Sequence, residues 1–333
     1  MMNTYRIGLT TWDPDKITID DVMTPATSIG MVFESRQLNH TQETERVIRT
    51  LQDCDYIIAG SERLDAEVLP HLKRLKFIAR NGAGYDNVDL ECATKLGIDV
   101  ANIPGANSKW VAESALALML AVMREIPYKT EHMRAGDYKC GWNMNGSLFG
   151  IGTVGLIGFG NIARELAALY KPFGMRIMAY DPFVSAEKMS EYGVVKGTLD
   201  DVLAESGAIS LHLPAIKETI GMVNKDFIAK MQDGAYLVNN ARGSLVNEQD
   251  LYDALKSGKL AGAGLDVFAS EQIGFSPLFT LENVALTPHT SARPSACWKH
   301  MVTCSLENIL HFHHGEPVQS LLNPEYISNA RKI

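Results

Sequence analysis

The sequence has no excess of positive charge. Its 31 lysine and arginine residues are outnumbered by 39 aspartate and glutamate residues, so the formal net charge is −8 at pH 7. A protein that binds nucleic acid needs a basic stripe to replace the counterions of the phosphate backbone. The charge balance therefore argues against a nucleic-acid partner.

Long hydrophobic runs are also missing. The longest apolar run covers residues 114–123, which is far short of the ~20 residues that a helix needs to cross a bilayer. The first residues, MMNTYRIGLTTWDPD, lack the basic and then apolar arrangement of a secretory leader and pass directly into a strand pattern. We therefore expect a cytoplasmic protein with no membrane partner.

Cysteine pairs of the C-x-x-C type are absent. The five cysteines, an odd number, are Cys54, Cys92, Cys140, Cys297 and Cys304. This pattern favours buried thiols in a reducing compartment over a disulfide framework or a zinc site. His311, His313 and His314 could suggest a metal site, but the helix dipole favours cationic residues at a helix end. We therefore expect no metal.

The chain does contain a regular alternation of short apolar runs and helical patterns. Runs such as 5–9 and 56–59 are typical of strands, and helical patterns lie between them. Alternation of this kind predicts parallel sheets with helices on both faces. The length of 333 residues favours two domains. The patterns predict one domain of residues 1–101 and 294–333, and a second of residues 102–293.

The clearest motif lies at residues 153–163, which read TVGLIGFGNIA. In such a strand, turn and helix start, Gly158 allows the tight turn and Gly160 lets the main chain approach a pyrophosphate, while the small Ala163 allows close packing. The N–H groups at the helix start then face the phosphates. The next strand ends in Asp181, whose carboxylate would accept hydrogen bonds from ribose hydroxyls and repel a 2′-phosphate. The motif therefore predicts NAD rather than NADP.

Three later strands end in polar residues, at the sheet edge where α/β folds bind ligands. These ends read NNARG (239–243), DVFASE (266–271) and TPH (287–289). Oxidising an alcohol by hydride transfer requires a base, a cation for the substrate carboxylate and exclusion of water. His289 suits the base because imidazole titrates near neutral pH. Glu271 could hold the other ring nitrogen, and Arg242 offers a fixed fork for a carboxylate.

Over nearly its whole length the chain resembles the D-isomer-specific 2-hydroxyacid dehydrogenase family, and in particular its phosphoglycerate-dehydrogenase-like branch. The matching strings are NGAGYDNVDL (81–90), IPGANSKWVAESALALML (103–120), TVGLIGFGNIA (153–163), FGMRIMAYDP (173–182), LHLPAIKET (211–219), VNNARGSLVNEQDLYDALKSGKLAGAGLDVF (238–268), Glu271 and TPHTSA (287–292). The resemblance implies an α/β fold with two doubly wound parallel-sheet domains, in which a Rossmann NAD-binding domain is inserted into a flavodoxin-like substrate domain.

The resemblance also implies the residues of the site. The implied catalytic set is Arg242, Glu271 and His289. The implied cofactor-binding residues are Gly158, Gly160, Asn161, Ile162, Asp181, Leu213, Pro214, Thr219, Asn240, Ala241 and Asp266, the last of these for the nicotinamide amide. The implied substrate-binding residues are Asn81, Gly82, Ala83 and Gly84, in a loop that presents backbone N–H groups to an anion. A homodimer built on the apolar helix 109–125 and on an extended arm, 127–150, is implied as well.

The chain departs from the family pattern at some positions. Asn161 stands where an arginine is common. Gly60 lies where some phosphoglycerate enzymes place a cation for the phosphate, and either Arg63 or Arg80 could replace it. Trp142 could reach into a partner's active site, although packing in the core or at an interface is the favoured interpretation. The nature of the substrate side chain therefore stays open.

The favoured hypothesis is an NAD-dependent enzyme that transfers a hydride between NAD(H) and a D-2-hydroxy acid or its 2-keto acid. Phosphoglycerate-type, hydroxypyruvate-type and glyoxylate-type substrates are all compatible with the motifs. The alternative is an NAD(H)-responsive binding protein, like the transcriptional corepressors built on this fold, in which turnover is vestigial. The presence of arginine, glutamate and histidine together argues against that alternative.

Overall fold

The computed structural model describes residues 4–11, 18–38, 43–141, 146–270 and 275–324. The chain divides into two compact units, a first unit of Met1–Asn107 with Arg293–Ile333 and a second unit of Ser108–Ala292. Each unit contains one sheet, and the paired strands run parallel in both sheets. The predicted α/β fold class is confirmed.

The elements follow one another along the chain with short connections. The strands are β1 (Arg6–Leu9), β2 (Val32–Ser35), β3 (Tyr56–Ala59), β4 (Phe77–Arg80), β5 (Asp99–Ala101), β6 (Thr153–Ile157), β7 (Arg176–Tyr180), β8 (Val195–Lys196), β9 (Ala208–Leu211), β10 (Ala235–Asn239), β11 (Leu260–Leu265) and β12 (Val284–Leu286). The α-helices are α1 (Asp20–Thr27), α2 (Thr44–Leu51), α3 (Leu90–Lys95), α4 (Ser108–Met123), α5 (Ile126–Arg134), α6 (Asn161–Tyr170), α7 (Ala186–Ser190), α8 (Leu199–Glu205), α9 (Lys225–Lys230), α10 (Glu248–Ser257) and α11 (Ser295–His314). Among the residues described, none of these helices combines the length and apolar character that a bilayer span requires.

The sheet of the first unit has the strand order β2-β1-β3-β4-β5, which is the order of flavodoxin-like doubly wound sheets. Its central strands are buried on both faces, since successive side chains of a strand point to opposite sides. Tyr56 and Phe77 pack in one apolar cluster, and their neighbours Ile57 and Ile78 pack in the other. This double burial explains why YIIA (56–59) and FIA (77–79) are continuous apolar runs rather than alternating ones.

A segment near the C-terminus covers the open edge of this sheet. The N–H of Leu322 donates to the carbonyl of Val100 at 2.8 Å, so the segment pairs with edge strand β5. The buried Asn323 adds side-chain bonds: its Oδ1 accepts from the Val100 N–H, and its Nδ2 donates to Thr94 Oγ1 and to the Ile98 carbonyl. Covering an edge in this way removes a site for unwanted strand pairing.

The sheet of the second unit has the order β12-β11-β10-β9-β6-β7-β8. Counted from β6, this is the Rossmann order with one further strand at the β12 edge. The chain direction across the sheet reverses between β6 and β9, which are paired neighbours. In folds of this type, ligands bind at such a switch point, beyond the carboxyl ends of the strands.

Helix α4 packs within the second unit, on α6 and on strands β10 to β12. Two strand glycines make room for it: a Cβ at Gly264 would lie 2.9 Å from Leu118 Cβ, and one at Gly262 would lie 2.5 Å from Val122 Cγ2. The helix therefore contributes buried residues to the core of the second unit on one side, which agrees with its nearly continuous apolar sequence.

The expectation of an extended arm over residues 127–150 is wrong for its first part, because α5 (Ile126–Arg134) is a helix. None of its residues is buried, so its sequence carries no apolar periodicity from which a helix could be predicted. Trp142 lies outside the described residues.

Helix ends follow the sequence closely. Thr198 and Asp201 form a reciprocal capping box at the start of α8, and Asn247 caps α10 by accepting from two backbone N–H groups. Gly258 ends α10 in the left-handed conformation, with φ 79°. These predicted start and stop signals are confirmed, because each depends only on local hydrogen bonding and backbone freedom.

The C-terminal segment generates a stability prediction. Replacing Asn323 with alanine leaves three buried polar groups without their partner, and should lower the free energy of unfolding by about 2 kcal/mol. The measurement is the shift of the urea midpoint. Glu316→Ala, at an exposed position of the same segment, is the control and should leave the midpoint within error. Equal midpoints for the two variants would contradict the role given to this segment.

Candidate active site

The glycine turn of the second unit lies at the carboxyl end of β6, at the switch point. Gly158 has φ 91°, and a Cβ there would lie 2.6 Å from the carbonyl oxygen of His212. Gly160 precedes the first residue of α6, and no atom lies within 4 Å of its Cβ position in the described part of the chain. The first glycine is thus required by the fold, whereas the second leaves open space over the start of α6.

Asp181 follows β7 and faces this turn. One carboxylate oxygen accepts from the N–H of Phe159 at 2.8 Å, and the other accepts from the N–H of Phe183 at 2.8 Å. A carboxylate has about four lone-pair positions, so each oxygen keeps capacity for a further donor. The acid therefore fixes the glycine turn and can still accept hydrogen bonds from a ligand.

The segment after β9 lies against the same turn. Leu213 Cδ2 lies 3.0 Å from the Cβ position of Gly158, and the hydroxyl of Thr219 donates to the Pro214 carbonyl at 2.6 Å. Burial lowers the pKa of His212 to about 4, and its Nε2 finds no partner among the residues that the structure describes. The structure therefore places Leu213 against the glycine turn and joins Pro214 to Thr219 in the segment that follows.

The end of β10 holds Arg242. The side chain of Asn239 accepts from the Ala241 N–H and donates to the Arg242 carbonyl, which fixes the turn. Position 243 requires glycine, because a Cβ there would lie 1.8 Å from the carbonyl oxygen of Phe268. The Arg242 turn is thus pressed against the chain that leaves β11, and Arg242 is only partly buried.

Asn240 anchors the same turn to α4. Its Nδ2 donates to the carbonyl of Val111 at 3.0 Å. Its buried Oδ1 has no partner in the part of the chain that is described, although such atoms are nearly always hydrogen-bonded in native proteins. The free acceptor is compatible with a ligand that brings an N–H donor to this turn.

Asp266, which is 0% exposed, organises the turn that bears His289. Its carboxylate accepts four hydrogen bonds, from the Thr287 hydroxyl (2.6 Å), the Thr290 N–H (2.8 Å), and the N–H (3.0 Å) and hydroxyl (2.5 Å) of Ser291. The Asp266 carbonyl also accepts from the His289 N–H at 2.7 Å. His289 has φ 52°, a conformation that costs a non-glycine residue energy and clusters at functional sites. The side chain of His289 is exposed.

The hydrogen-bond donors to the Asp266 carboxylate were not identified from the sequence. The hydroxyl groups of Thr287 and Ser291 on both sides of His289 were the available signal, since such residues often bond to a nearby carboxylate. Glu271, the third member of the predicted set, lies outside the described residues.

The predicted substrate loop belongs to the first unit and follows β4. Asn81 is buried and accepts from the Ser305 hydroxyl of α11, while the Ala83 carbonyl accepts from Asn102 at 2.7 Å. No described residue accepts a hydrogen bond from the N–H of Ala83 or of Gly84. The Asn81 side chain and the Ala83 carbonyl therefore hold the loop in place, and the N–H groups of Ala83 and Gly84 remain for an anion.

Residues 116–291 match the family model described as "D-isomer specific 2-hydroxyacid dehydrogenase, NAD binding domain". The chain belongs to this family. The resemblance seen in the sequence is confirmed, and so is NAD as the cofactor of the matching domain.

Named relatives of the family differ in length from one another. It is 40% identical over 281 residues to a D-3-phosphoglycerate dehydrogenase of Archaeoglobus fulgidus, covering 84% of this chain but 53% of that protein. It is 37% identical over 287 residues to a glyoxylate reductase of Korarchaeum cryptofilum, covering 84% of this chain and 86% of the reductase. The chain thus spans about half the length of the phosphoglycerate dehydrogenase that it matches.

Solved structures agree with the family fold. The TT0316 protein of Thermus thermophilus superposes with a TM-score of 0.85 at 30% identity, covering 95% of this chain and 99% of that one. The two-domain α/β architecture of the family is therefore present in this chain from the first strand to α11.

The hydrogen bonds of Asp266 generate a prediction. Asp266→Asn replaces an acceptor oxygen by a donor NH₂ and leaves buried donors of the Thr287–Ser291 turn unpaired, which should lower the free energy of unfolding by about 2 kcal/mol. Urea denaturation measures this effect. The control is Asp253→Asn, on the exposed face of α10, which should change stability little. A midpoint for Asp266→Asn as high as that of the control would show that the turn does not depend on this carboxylate.

Proposed function

We propose that the protein is an NAD-dependent oxidoreductase that transfers a hydride between NAD(H) and a D-2-hydroxy acid or its 2-keto acid. The observation that carries this proposal is the turn held by Asp266, which fixes an exposed His289 at the carboxyl edge of a Rossmann sheet. The ends of β10, β11 and β12 are in register, since Asn239 pairs with Leu265 and Leu265 with Leu286. Arg242 and His289 therefore leave the same edge of the sheet.

His289 is proposed as the acid and base. In the oxidation direction its imidazole takes the proton of the substrate hydroxyl while the hydrogen on the same carbon departs with its electron pair. When bound, NAD supplies the acceptor for that hydride. In the reduction direction the imidazolium returns the proton to the carbonyl oxygen. The family resemblance assigns Glu271 the role of orienting the imidazole.

Arg242 is proposed to hold the substrate carboxylate and to polarise the carbonyl oxygen. A guanidinium presents donors in a rigid fork that matches a planar carboxylate, and it stays charged at all relevant pH values. In the first unit, the Ala83 and Gly84 N–H groups are proposed as donors to a substrate carboxylate.

The cofactor is proposed to bind at the switch point of the second sheet. The open space over Gly160 suits the pyrophosphate, next to the N–H groups of Asn161 and Ile162 at the start of α6. The spare acceptor capacity of Asp181 suits the ribose hydroxyls. The unpaired Oδ1 of Asn240 suits an amide donor of the nicotinamide, next to Ala241. The carboxylate of Asp266, which the resemblance implies for the same amide, already accepts four hydrogen bonds and is proposed to act by holding the His289 turn.

A homodimer is proposed as the assembly. Helix α5 buries no residue, and it exposes Ile126 (53%) and Met133 (49%), while Tyr138, just beyond it, is 73% exposed. Apolar side chains gathered in this way commonly mark an interaction surface. A cytoplasmic location and the absence of a metal remain predictions from the sequence.

The first functional prediction concerns turnover. The protein should oxidise NADH, seen as a loss of absorbance at 340 nm, with at least one keto acid of a panel. The panel is hydroxypyruvate, glyoxylate, pyruvate, phosphohydroxypyruvate and 2-ketoisocaproate. His289→Ala should lower kcat about 10²-fold or more, the usual contribution of an acid or base, while the Kd for NADH stays unchanged. The matched control is His71→Ala, at an exposed position of the first unit.

A His289→Ala variant with full turnover would refute the assignment of the acid and base. Binding of NADH that promotes dimerisation without turnover on any keto acid would instead favour the corepressor-like alternative.

The second functional prediction concerns cofactor choice. A carboxylate next to a 2′-phosphate costs several kcal/mol, so NADH should bind at least about a hundredfold more tightly than NADPH. Asp181→Asn removes the charge but keeps an acceptor for the Phe159 N–H, and should narrow the ratio of the two Kd values. Asp233→Asn, which alters a carboxylate paired with Lys259 at the surface, should not. Equal affinity of the wild-type protein for both cofactors would contradict the proposed site.

A further inference from the structure

A buried carboxyl group lies next to the substrate loop, where the reaction proposed above does not use one. Glu62 follows β3 and is 1% exposed. Its Oε1 accepts from the Gly60 N–H at 3.0 Å, and the Thr10 hydroxyl provides a further hydrogen bond. Burial raises the pKa of Glu62, while these hydrogen bonds and the charge of Arg80 act in the opposite direction. A carboxyl group with so little solvent is costly to bury unless hydrogen bonds or an opposite charge compensate it, as they do here.

The loop that carries Glu62 is joined to the substrate loop through Asn87. The Nδ2 of Asn87 donates to the carbonyls of Gly60 (3.1 Å) and Glu62 (2.6 Å). Its Oδ1 accepts from Nε of Arg80 at 3.1 Å. Strands β3 and β4 are neighbours, with Ala59 opposite Arg80. The Glu62 loop and the loop of residues 81–84 therefore form one side of the carboxyl edge of the first sheet.

Among the described residues, Arg80 is the cation that contacts the substrate loop. Its Nη1 lies 3.0 Å from the Cβ position of Gly82, directly against the backbone of the loop. Its donors are directed to Asn87 and toward the Ala59 carbonyl, and Glu62 lies close enough to influence it electrostatically. The positive charge of Arg80 therefore lies close to the buried carboxyl group of Glu62.

The other cation considered for a phosphate, Arg63, is also engaged. It forms ion pairs with Asp65 and with Glu67, the second at 3.2 Å. Position 60 cannot hold a cation without rearrangement, because a Cβ there would lie 2.3 Å from Thr11 Cγ2 and 3.0 Å from Glu62 Oε2. Both arginines near the loop are thus paired with groups of this chain, and the neighbouring position is restricted to glycine.

We propose that Glu62 is a specificity-determining residue that selects 2-keto and 2-hydroxy acids with an uncharged side chain and rejects phosphorylated ones. This inference rests on the proposed function and deepens it. A phosphate monoester carries about −1.5 to −2 charges at pH 7 and needs cations around it. Beside the carboxylate form of Glu62, which the charge of Arg80 and the hydrogen bonds from Thr10 and Gly60 favour, it would meet like charge, and this disfavours its binding at a desolvated site. A substrate with one carboxylate, held by the Ala83 and Gly84 N–H groups, avoids this cost.

The inference separates two classes that both occur among the relatives, since a phosphoglycerate dehydrogenase and a glyoxylate reductase match this chain at similar identity. Hydroxypyruvate and phosphohydroxypyruvate differ only in the phosphoryl group. With NADH, kcat/KM of the wild-type protein should be at least about tenfold higher for hydroxypyruvate. A preference for phosphohydroxypyruvate would overturn the inference while leaving the proposed function intact. Absence of NADH consumption with every keto acid would overturn the proposed function and this inference with it.

A variant tests the residue itself. Glu62→Gln removes the charge and keeps an acceptor for the Gly60 N–H. The ratio of kcat/KM for phosphohydroxypyruvate to kcat/KM for hydroxypyruvate should therefore rise by about fivefold or more. The matched control is Glu67→Gln, at an exposed position of the same segment, and its ratio should equal that of the wild type. A folded Glu62→Gln protein with an unchanged ratio would refute the role of Glu62. If that variant does not fold, as judged by circular dichroism, the wild-type ratio decides.

Discussion

The buried carboxylate of Asp266 is the interaction on which the candidate active site depends. Its two oxygens bind a turn whose central residue, His289, adopts a left-handed backbone conformation. That conformation is costly by itself, and it persists because four donors are satisfied at once by one acid. The exposed imidazole is thus carried by a rigid turn, and rigidity of the supporting groups is what a catalytic geometry requires.

Close backbone contact extends this rigidity to the neighbouring strand ends. The absence of a side chain at Gly243 lets the Arg242 turn touch the chain beyond β11, and the absence of one at Gly158 lets the glycine turn touch the chain just beyond β9. Both contacts are between main-chain atoms or their near neighbours, so they leave little freedom for adjustment. The polar groups at the edge of the second sheet are therefore positioned by backbone packing first and by side-chain hydrogen bonds second.

The sequence predicted those features that depend on neighbours along the chain. The glycine turn at 158–160, the helix start at Thr198 and the helix end at Gly258 follow from local geometry, and the apolar strands follow from burial on both faces. Features that depend on distant partners were missed. The pairing of Leu322 with β5 joins residues far apart in sequence, and α5 has no periodicity because it buries no side chain. The four donors to Asp266 come from a different strand end, so no spacing rule reveals them.

The two proposed binding sites, one in each unit, share one electrostatic feature. Asp181 in the second unit and Glu62 in the first each follow a parallel strand, and each binds the backbone N–H of a glycine-containing loop. A carboxylate in that position fixes the loop, and the proposals give it a second role: it would disfavour a 2′-phosphate in one site and a substrate phosphate in the other. Anions with less charge can still be held by the backbone N–H groups proposed as donors in these loops, those of Asn161 and Ile162 in the second unit and of Ala83 and Gly84 in the first. The preference proposed on this basis is for ligands whose negative charge is limited to the pyrophosphate of the cofactor and a single carboxylate of the substrate.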